Sequence, residues 1–183
     1  MELVLIIVYF ILGLIGTIII ILLIAAAASS EDYTISREVV INRPRQEVFD
    51  YVRILKNQDY YSKWVMTDLN AQRTFTGTDG QPGFLYTWDS DNKQVGQGEQ
   101  EIKSIKEGQQ MITNVRFIKP FEGGLEATFT TRDAGQGQTN INWTIQGKRN
   151  LMMRMFHIMM SLPKKLGADM AESLNNLKRV LEK

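Results

Sequence analysis

The sequence holds one histidine and no cysteine, so acid–base or metal chemistry would have to be assembled from carboxylates, tyrosines and a single imidazole. His157 stands among Met153, Phe156, Met159 and Met160 with no second histidine to join it. A metal site needs several more ligands, and none is expected. The imidazole titrates in the range that suits proton transfer, but in this apolar setting a hydrogen-bonded structural role is the preferred reading. Glu99 and Glu101 share one strand face, a spacing common on exposed sheets and a weak sign of an acid–base pair. Asn114 and Arg116 fall on one face with Ile112 and Ile118. Pointed inward, Arg116 would meet a ligand carboxylate or phosphate, because a buried guanidinium needs an anionic partner; pointed outward, it is solvated, and both readings stand. No Gly-rich phosphate loop, serine nucleophile elbow, zinc-protease motif or dinucleotide fingerprint is present, and no cofactor is expected.

The apolar residues carry more information. Phe84, Tyr86 and Trp88 alternate along one segment, as do Leu125, Ala127 and Phe129, and again Ile141, Trp143 and Ile145. Alternation with period two puts each set on one face of a strand. With Trp64 these positions are the candidates for lining an interior cavity. The cluster Met152, Met153, Met155, Met159 and Met160 reads first as core packing and second as an adaptable ligand surface, with Met153 and Met159 the candidates for contact. Lys148, Arg149, Arg154, Lys164 and Lys165 bring basic charge without an acid to the same stretch. It reads as a solvated helix face, or as a segment that lies on anionic headgroups or gates ligand entry.

The elements that must position these residues follow from period and punctuation. Tyr33 to Asn42 reads as a strand, and Pro44 starts an amphipathic helix with Val48, Phe49, Val52 and Leu55 inward and a cap at Asn42 or the residue after it. Residues 57–68 read as a second short helix or an irregular turn. Six strands follow near 70–77, 83–89, 94–106, 110–119, 124–132 and 138–146, separated by turn signals such as Thr78-Asp79-Gly80 and Ala134-Gly135-Gln136-Gly137. The last stretch is helical, with a break at or just before Pro163 and a stripe of Leu166, Met170, Leu174, Leu177 and Leu181. The predicted class is α+β: a curved seven-stranded antiparallel sheet around a long C-terminal helix, with an apolar cavity in the gap between them.

From Leu3 to Ala28 no residue carries a formal charge. A helix over 1–28 exceeds the ~30 Å hydrocarbon core of a bilayer, and helix is the conformation that satisfies its backbone there. The competing reading is a signal peptide cleaved near Ala25 to Ala28; the missing basic flank and the length of the apolar run count against it. A linker over 29–32 and one domain over 33–183 complete the predicted organisation. Lys and Arg number 21 against 20 Asp and Glu. Three of the acids precede residue 33, which leaves the domain mildly and diffusely basic, without the concentrated face that nucleic acid requires. Arg37, Arg43 and Arg45 follow the helix, so the positive-inside rule predicts a single-pass protein with a cytoplasmic domain.

The run Val40-Ile41-Asn42-Arg43-Pro44-Arg45-Gln46-Glu47-Val48-Phe49-Asp50-Tyr51-Val52, followed by Trp64, by Gly96 and Gly98, by the Thr139 to Trp143 strand and by the ending Leu174-Asn175-Asn176-Leu177-Lys178, resembles the START-like superfamily, also called SRPBCC. Within it the chain is similar to polyketide cyclase/dehydrase and lipid-transport type proteins, over residues 34–183. The resemblance implies the helix-grip fold and a deep hydrophobic cavity, and an apolar small molecule or lipid as partner. The superfamily also includes aromatic cyclases and chaperone activators, so a cyclase or dehydratase and a protein-interaction adaptor are the alternatives to a binding module.

Overall fold

The computed structural model describes residues 1–120 and 122–183. By packing, the chain divides into two units: Met1–Tyr33 with Lys148–Pro163, and Thr34–Gly147 with Lys164–Lys183.

The first unit is built on α1 (Glu2–Ala28), whose mean hydropathy reaches 3.1. At ~1.5 Å per residue it is about 40 Å long. The hydroxyl of Thr17 donates to Gly13 O at 2.8 Å, so the one hydroxyl in its middle is satisfied inside the helix. Against α1 packs α4 (Leu151–Met160), capped by Asn150, whose Oδ1 accepts from Met153 N–H. A helix C-terminus leaves carbonyls without intrahelical partners and carries the negative end of the dipole. Here Ser29 N–H and Oγ close on Ala25 O and Ala26 O, and arginines supply donors to the carbonyls that follow: Arg154 Nη1 to Ser29 O at 2.9 Å and Arg149 Nη2 to Ser30 O at 2.8 Å, while the Arg149 amide donates to Glu31 O. The predicted linker over 29–32 is bonded to residues 149–154, and residues 148–163 group with α1 rather than with the sheet. His157, 7% exposed, packs edge-on against Tyr33 with its Nδ1 3.0 Å from Arg149 Nη1. An arginine can only donate, which makes Nδ1 the acceptor and leaves the ring proton on Nε2.

The second unit is a sheet in the order β1-β7-β6-β5-β4-β3-β2. Its strands are β1 (Asp32–Ile41), β2 (Gln72–Thr76), β3 (Leu85–Asp89), β4 (Gln97–Lys106), β5 (Gln110–Lys119), β6 (Gly123–Gly135) and β7 (Gln138–Lys148). Neighbours from β2 to β7 pair antiparallel. Register shifts at Gln97/Gly98 and Ile102/Ser104 in β4 and at Asp133/Gly135 in β6 mark bulges that bend the sheet. The last of these carries β6 through Gly135, past the expected start of the turn.

Between β1 and β2 lie α2 (Arg45–Arg53), a 3₁₀ turn (Leu55–Tyr60) and α3 (Lys63–Met66). Pro44 sits just before α2, and Asn42 does not cap it: its Oδ1 accepts from Gln138 Nε2 instead. The final helix, α5 (Leu162–Leu181), follows a break at Ser161, which takes a left-handed conformation with φ of 49° and puts Pro163 in the first turn. Met170, Leu174 and Leu177 are buried to within 1% and Leu181 to 9%, as the stripe predicts, while Leu166 is half-buried.

Two flanks fix α5. On one, Lys178 Nζ donates to Val40 O, Asn42 N–H donates to Glu182, and the Arg37 guanidinium packs on the α5 backbone at Gly167, where a Cβ would occupy its place. On the other, Lys63 N–H donates to Ser173 Oγ and Asn176 Nδ2 to Tyr61 O.

Two outcomes are expected. Truncating Leu177 to Ala, which opens a void in the tightest part of this core, should lower unfolding free energy by ~2–5 kcal/mol in chemical denaturation. Burial and the Arg149 charge hold the pKa of His157 below its ordinary 6.5. Its stabilising share is thus complete above that value and is lost as pH falls through the lower folded pKa. Acid should loosen the first unit, and His157→Phe, which keeps a ring on Tyr33 without a titrating group, should abolish that acid-side loss in hydrogen exchange of residues 149–160.

Candidate functional site

Strand alternation decides which side chains face α5. On β3 these are Tyr86 and Trp88, with Phe84 just before the strand; on β4 Gly98, Gln100 and Ile102; on β5 Met111, Thr113, Val115 and Phe117. β6 adds Leu125, Ala127 and Phe129, and β7 adds Ile141, Trp143 and Ile145. Eight of the eleven residues singled out from sequence thus belong to this concave face or its cover: Trp64, Phe84, Tyr86, Trp88, Leu125, Phe129, Ile141 and Trp143.

Two aromatic groups form on it. Phe129 and Trp143, directly paired across β6 and β7, stack with centroids 4.9 Å apart, and Trp64 from α3 meets Trp143 edge-on at 5.2 Å. Trp64 Nε1 donates to Asp169 of α5 at 3.3 Å, which fixes that ring between helix and sheet. The second group runs along β2 and β3, where Phe75 stacks on Tyr86 at 5.4 Å and Tyr86 meets Trp88 at 5.6 Å. Trp88 then lies across Gly98 to reach Phe117 at 6.3 Å. A Cβ on Gly98 would collide with the Trp88 ring, so the glycine is what lets the indole cross β4.

In strand order, a polar line separates these groups. Gln58 Nε2 donates to Gln100 Oε1 at 3.3 Å, Gln100 Nε2 to Thr113 Oγ1 at 3.0 Å, and Thr113 Oγ1 to Ala127 O at 3.4 Å, all buried. Three donors buried around this face have no protein partner among the described residues: Trp143 Nε1, the Tyr61 hydroxyl and Arg73 Nε. Burial pushes the Tyr61 phenol well above its usual range, so it stays a donor at any physiological pH. Leaving such a group unpaired costs ~1–3 kcal/mol, which is the kind of deficit a ligand's polar atom removes.

Arg116 does not join this face. Its side chain is 65% exposed and its Nε is 2.8 Å from Glu99 Oε1 on the outer surface, because Val115 and Phe117 take the inward positions of β5. The inward arginine is Arg73, on the same face as Trp88, 11% exposed and 2.5 Å from Asp59 of the 3₁₀ turn. That pair lies near enough to Tyr86 to act on its hydroxyl, whose pKa burial raises. Met153 and Met159 belong to α4 in the first unit, and Met159 is 62% exposed, so the expectation of a methionine core fails there. A solvent-open groove of about 410 Å³ lies over β2, β3 and β4, where Gln72, Thr74, Asp89 and Glu99 meet Arg73, Trp88 and Ile118.

Sequence reasoning missed Gln58, Gln100, Thr113, Tyr61 and the Arg73–Asp59 pair. For three of them a signal was present. Placing Glu99 and Glu101 outward leaves Gln100 inward, assigning Asn114 and Arg116 to one face leaves Thr113 on the other, and Arg73 alternates with Phe75.

The family described as polyketide cyclase / dehydrase and lipid transport matches residues 33–182. None of the curated proteins matches the sequence. Among solved structures, norcoclaurine synthase from Thalictrum flavum is similar with a TM-score of 0.61 at 12% identity, over 87% of this chain and 92% of its own. A Chromobacterium violaceum protein gives 0.58 at 13% identity, over 82% and 97%. A protein of the dynemicin biosynthetic locus gives 0.57 at 13% identity, over 85% of this chain and 48% of its own. At these identities the likeness is one of fold.

If Gly98 is what seats Trp88, Gly98→Ala should displace the indole and cost ~1–3 kcal/mol by overpacking. Near-ultraviolet circular dichroism should change with it, and an unchanged spectrum and stability would refute the assignment.

Proposed function

The chain belongs to the polyketide cyclase/dehydrase and lipid transport family, and on that footing we propose that it is a membrane-anchored module binding a lipid or other apolar small molecule between the concave sheet face and α5. The observation that carries the reading is the chemistry of that face. Phe129, Trp143 and Trp64 give a broad apolar surface, while the buried Trp143 Nε1 and the Gln58–Gln100–Thr113 line provide a few directed hydrogen bonds. Mostly apolar walls with a few placed polar groups are what small-molecule sites have in common. Glutamine, threonine and indole hold a ligand without exchanging protons with it near neutral pH, which favours binding over acid–base catalysis.

The anchor is α1. A signal peptide is removed from the mature protein, whereas here Ala26 is fully buried and the carbonyls just past the helix are bonded by Arg149 and Arg154. Integration of this kind supports a retained span, and the arginines following it support a cytoplasmic domain. Tethering raises the effective concentration of the domain towards a ligand that resides in the bilayer.

A cyclase or dehydratase is the second reading. What favours it is the inward Arg73–Asp59 pair beside the protonated Tyr86 hydroxyl, a group able to polarise a substrate carbonyl.

The full-length protein, purified in detergent, should carry a stoichiometric apolar molecule in native mass spectrometry and solvent extraction. Trp143→Ala should lose it. Trp143→Phe, which keeps the stack but removes the donor, should weaken it by about one hydrogen bond, ~0.5–1.5 kcal/mol. Neither change should alter membrane association. A site that is empty in every preparation would overturn the binding reading, and turnover of a bound polyketide-like chain that Tyr86→Phe abolishes would install the second.

A further inference from the structure

α4 has ten residues, and six of its large apolar side chains are exposed: Leu151 at 41%, Met152 at 67%, Phe156 at 46%, Ile158 at 42%, Met159 at 62% and Met160 at 60%. Met152, Phe156, Met159 and Met160 follow at i, i+4, i+7 and i+8, so they form one continuous face. The two polar residues of the helix are turned away from water. Arg154, 12% exposed, bonds Ser29 O and faces Glu31, and His157 packs on Tyr33 and Arg149. What α4 leaves uncovered is therefore apolar, which helices that face water do not maintain.

We propose that α4 is an interfacial helix, lying with its Met152–Phe156–Met159–Met160 face in the acyl–headgroup boundary of the bilayer that α1 spans. The inference rests on the reading of α1 as a membrane span. Continuity argues for lipid as the occupant: α4 packs on the end of α1, whose adjoining side chains Ile21, Leu23 and Ile24 are themselves 59%, 39% and 64% exposed. Depth argues the same way. The Arg154 and Arg149 bonds to Ser29 O and Ser30 O place α4 level with the last turn of α1, where a span of ~30 Å gives way to headgroups. Charge adds one group: Arg149 and Arg154 are spent on Ser30 O and Ser29 O, and Lys148 is the basic side chain left exposed at that level, placed to meet a headgroup.

The absence of native cysteine makes the test direct. Single-cysteine variants Phe156→Cys and Met159→Cys of the full chain are spin-labelled in phosphatidylcholine vesicles containing phosphatidylglycerol. Ile15→Cys reports on α1, and Thr128→Cys on the outer face of β6 is the aqueous control. Collision with oxygen relative to a water-soluble nickel complex should be several-fold higher at 156 and 159 than at 128, approaching the value at 15. Lipid-like values at 15 with water-like values at 156 and 159 would overturn the inference and leave the anchor standing. Water-like values at 15 would remove the anchor, and the inference with it. Dipolar broadening between labels at 159, with both collision partners excluded, would assign the face to a second copy and overturn it as well.

Discussion

A curved sheet of seven strands has one face that water must not reach, and in this chain α5 covers it. The Met170–Leu174–Leu177 stripe at the centre of that cover is buried to within 1%, and its burial is the constraint on which the rest of the sheet unit depends. The helix is not free to settle as deeply as it can. Lys178 and Glu182 tie its C-terminal half to Val40 and Asn42 of β1, while Ser173, Glu172 and Asn176 tie its other flank to residues 61–63. α5 is thus fixed on both flanks, and the aromatic side chains beneath it fall into two groups.

The polar groups on this inner face are placed with economy. A buried amide or hydroxyl costs more than an apolar group unless it is bonded, yet Gln58, Gln100 and Thr113 stand in a row whose donors all point the same way along the chain of bonds. Such a row specifies register and orientation rather than bulk stability. The Arg73–Asp59 pair does the same at the β2 edge, where the guanidinium is shielded and the carboxylate half in water. The pair thus keeps most of its attraction without the full desolvation penalty of a deep ion pair.

The fold was legible because its signals are local and repeated. Alternation gave all seven strands to within a few residues, Pro163 announced the break before α5, and the leucine stripe identified the face that α5 buries. The aromatic part of the site was legible for the same reason: Phe129 and Trp143 sit at inward positions of adjacent strands, and alternation finds inward positions. For Arg116 both orientations stood open, since alternation separates the faces of β5 without saying which is inward; the outward one holds because Val115 and Phe117 take the inward positions. The methionine core expected at α4 failed. Whether an apolar helical face is core or surface depends on what lies against it, and period alone cannot say. Bulges were invisible too, since a one-residue slip in β4 or β6 leaves no mark on composition.

On the proposed reading of α1 as a membrane span, the junction of α1 and α4 is where two kinds of environment meet in one short stretch of chain. Where a helix emerges from hydrocarbon, its last carbonyls lose lipid-compatible partners before water is fully available, and an isolated span meets that need with its own flanking side chains. This chain has no basic residue in the last turn of α1; Ser29 closes on Ala25 O and Ala26 O, and the carbonyls just past the helix, of Ser29 and Ser30, take donors from more than a hundred residues away, at Arg154 and Arg149. Arg154 then cannot face water on α4, and the remaining surface of that helix is left to Met, Phe, Leu and Ile. Holding the segment after α1 and baring the apolar face of α4 are thus one arrangement: the arginine that would have put charge on the surface of α4 is turned to Ser29 O. A helix in that position has either lipid or another protein surface against it, and flexible thioethers are the side chains best able to accommodate the irregular boundary of a bilayer.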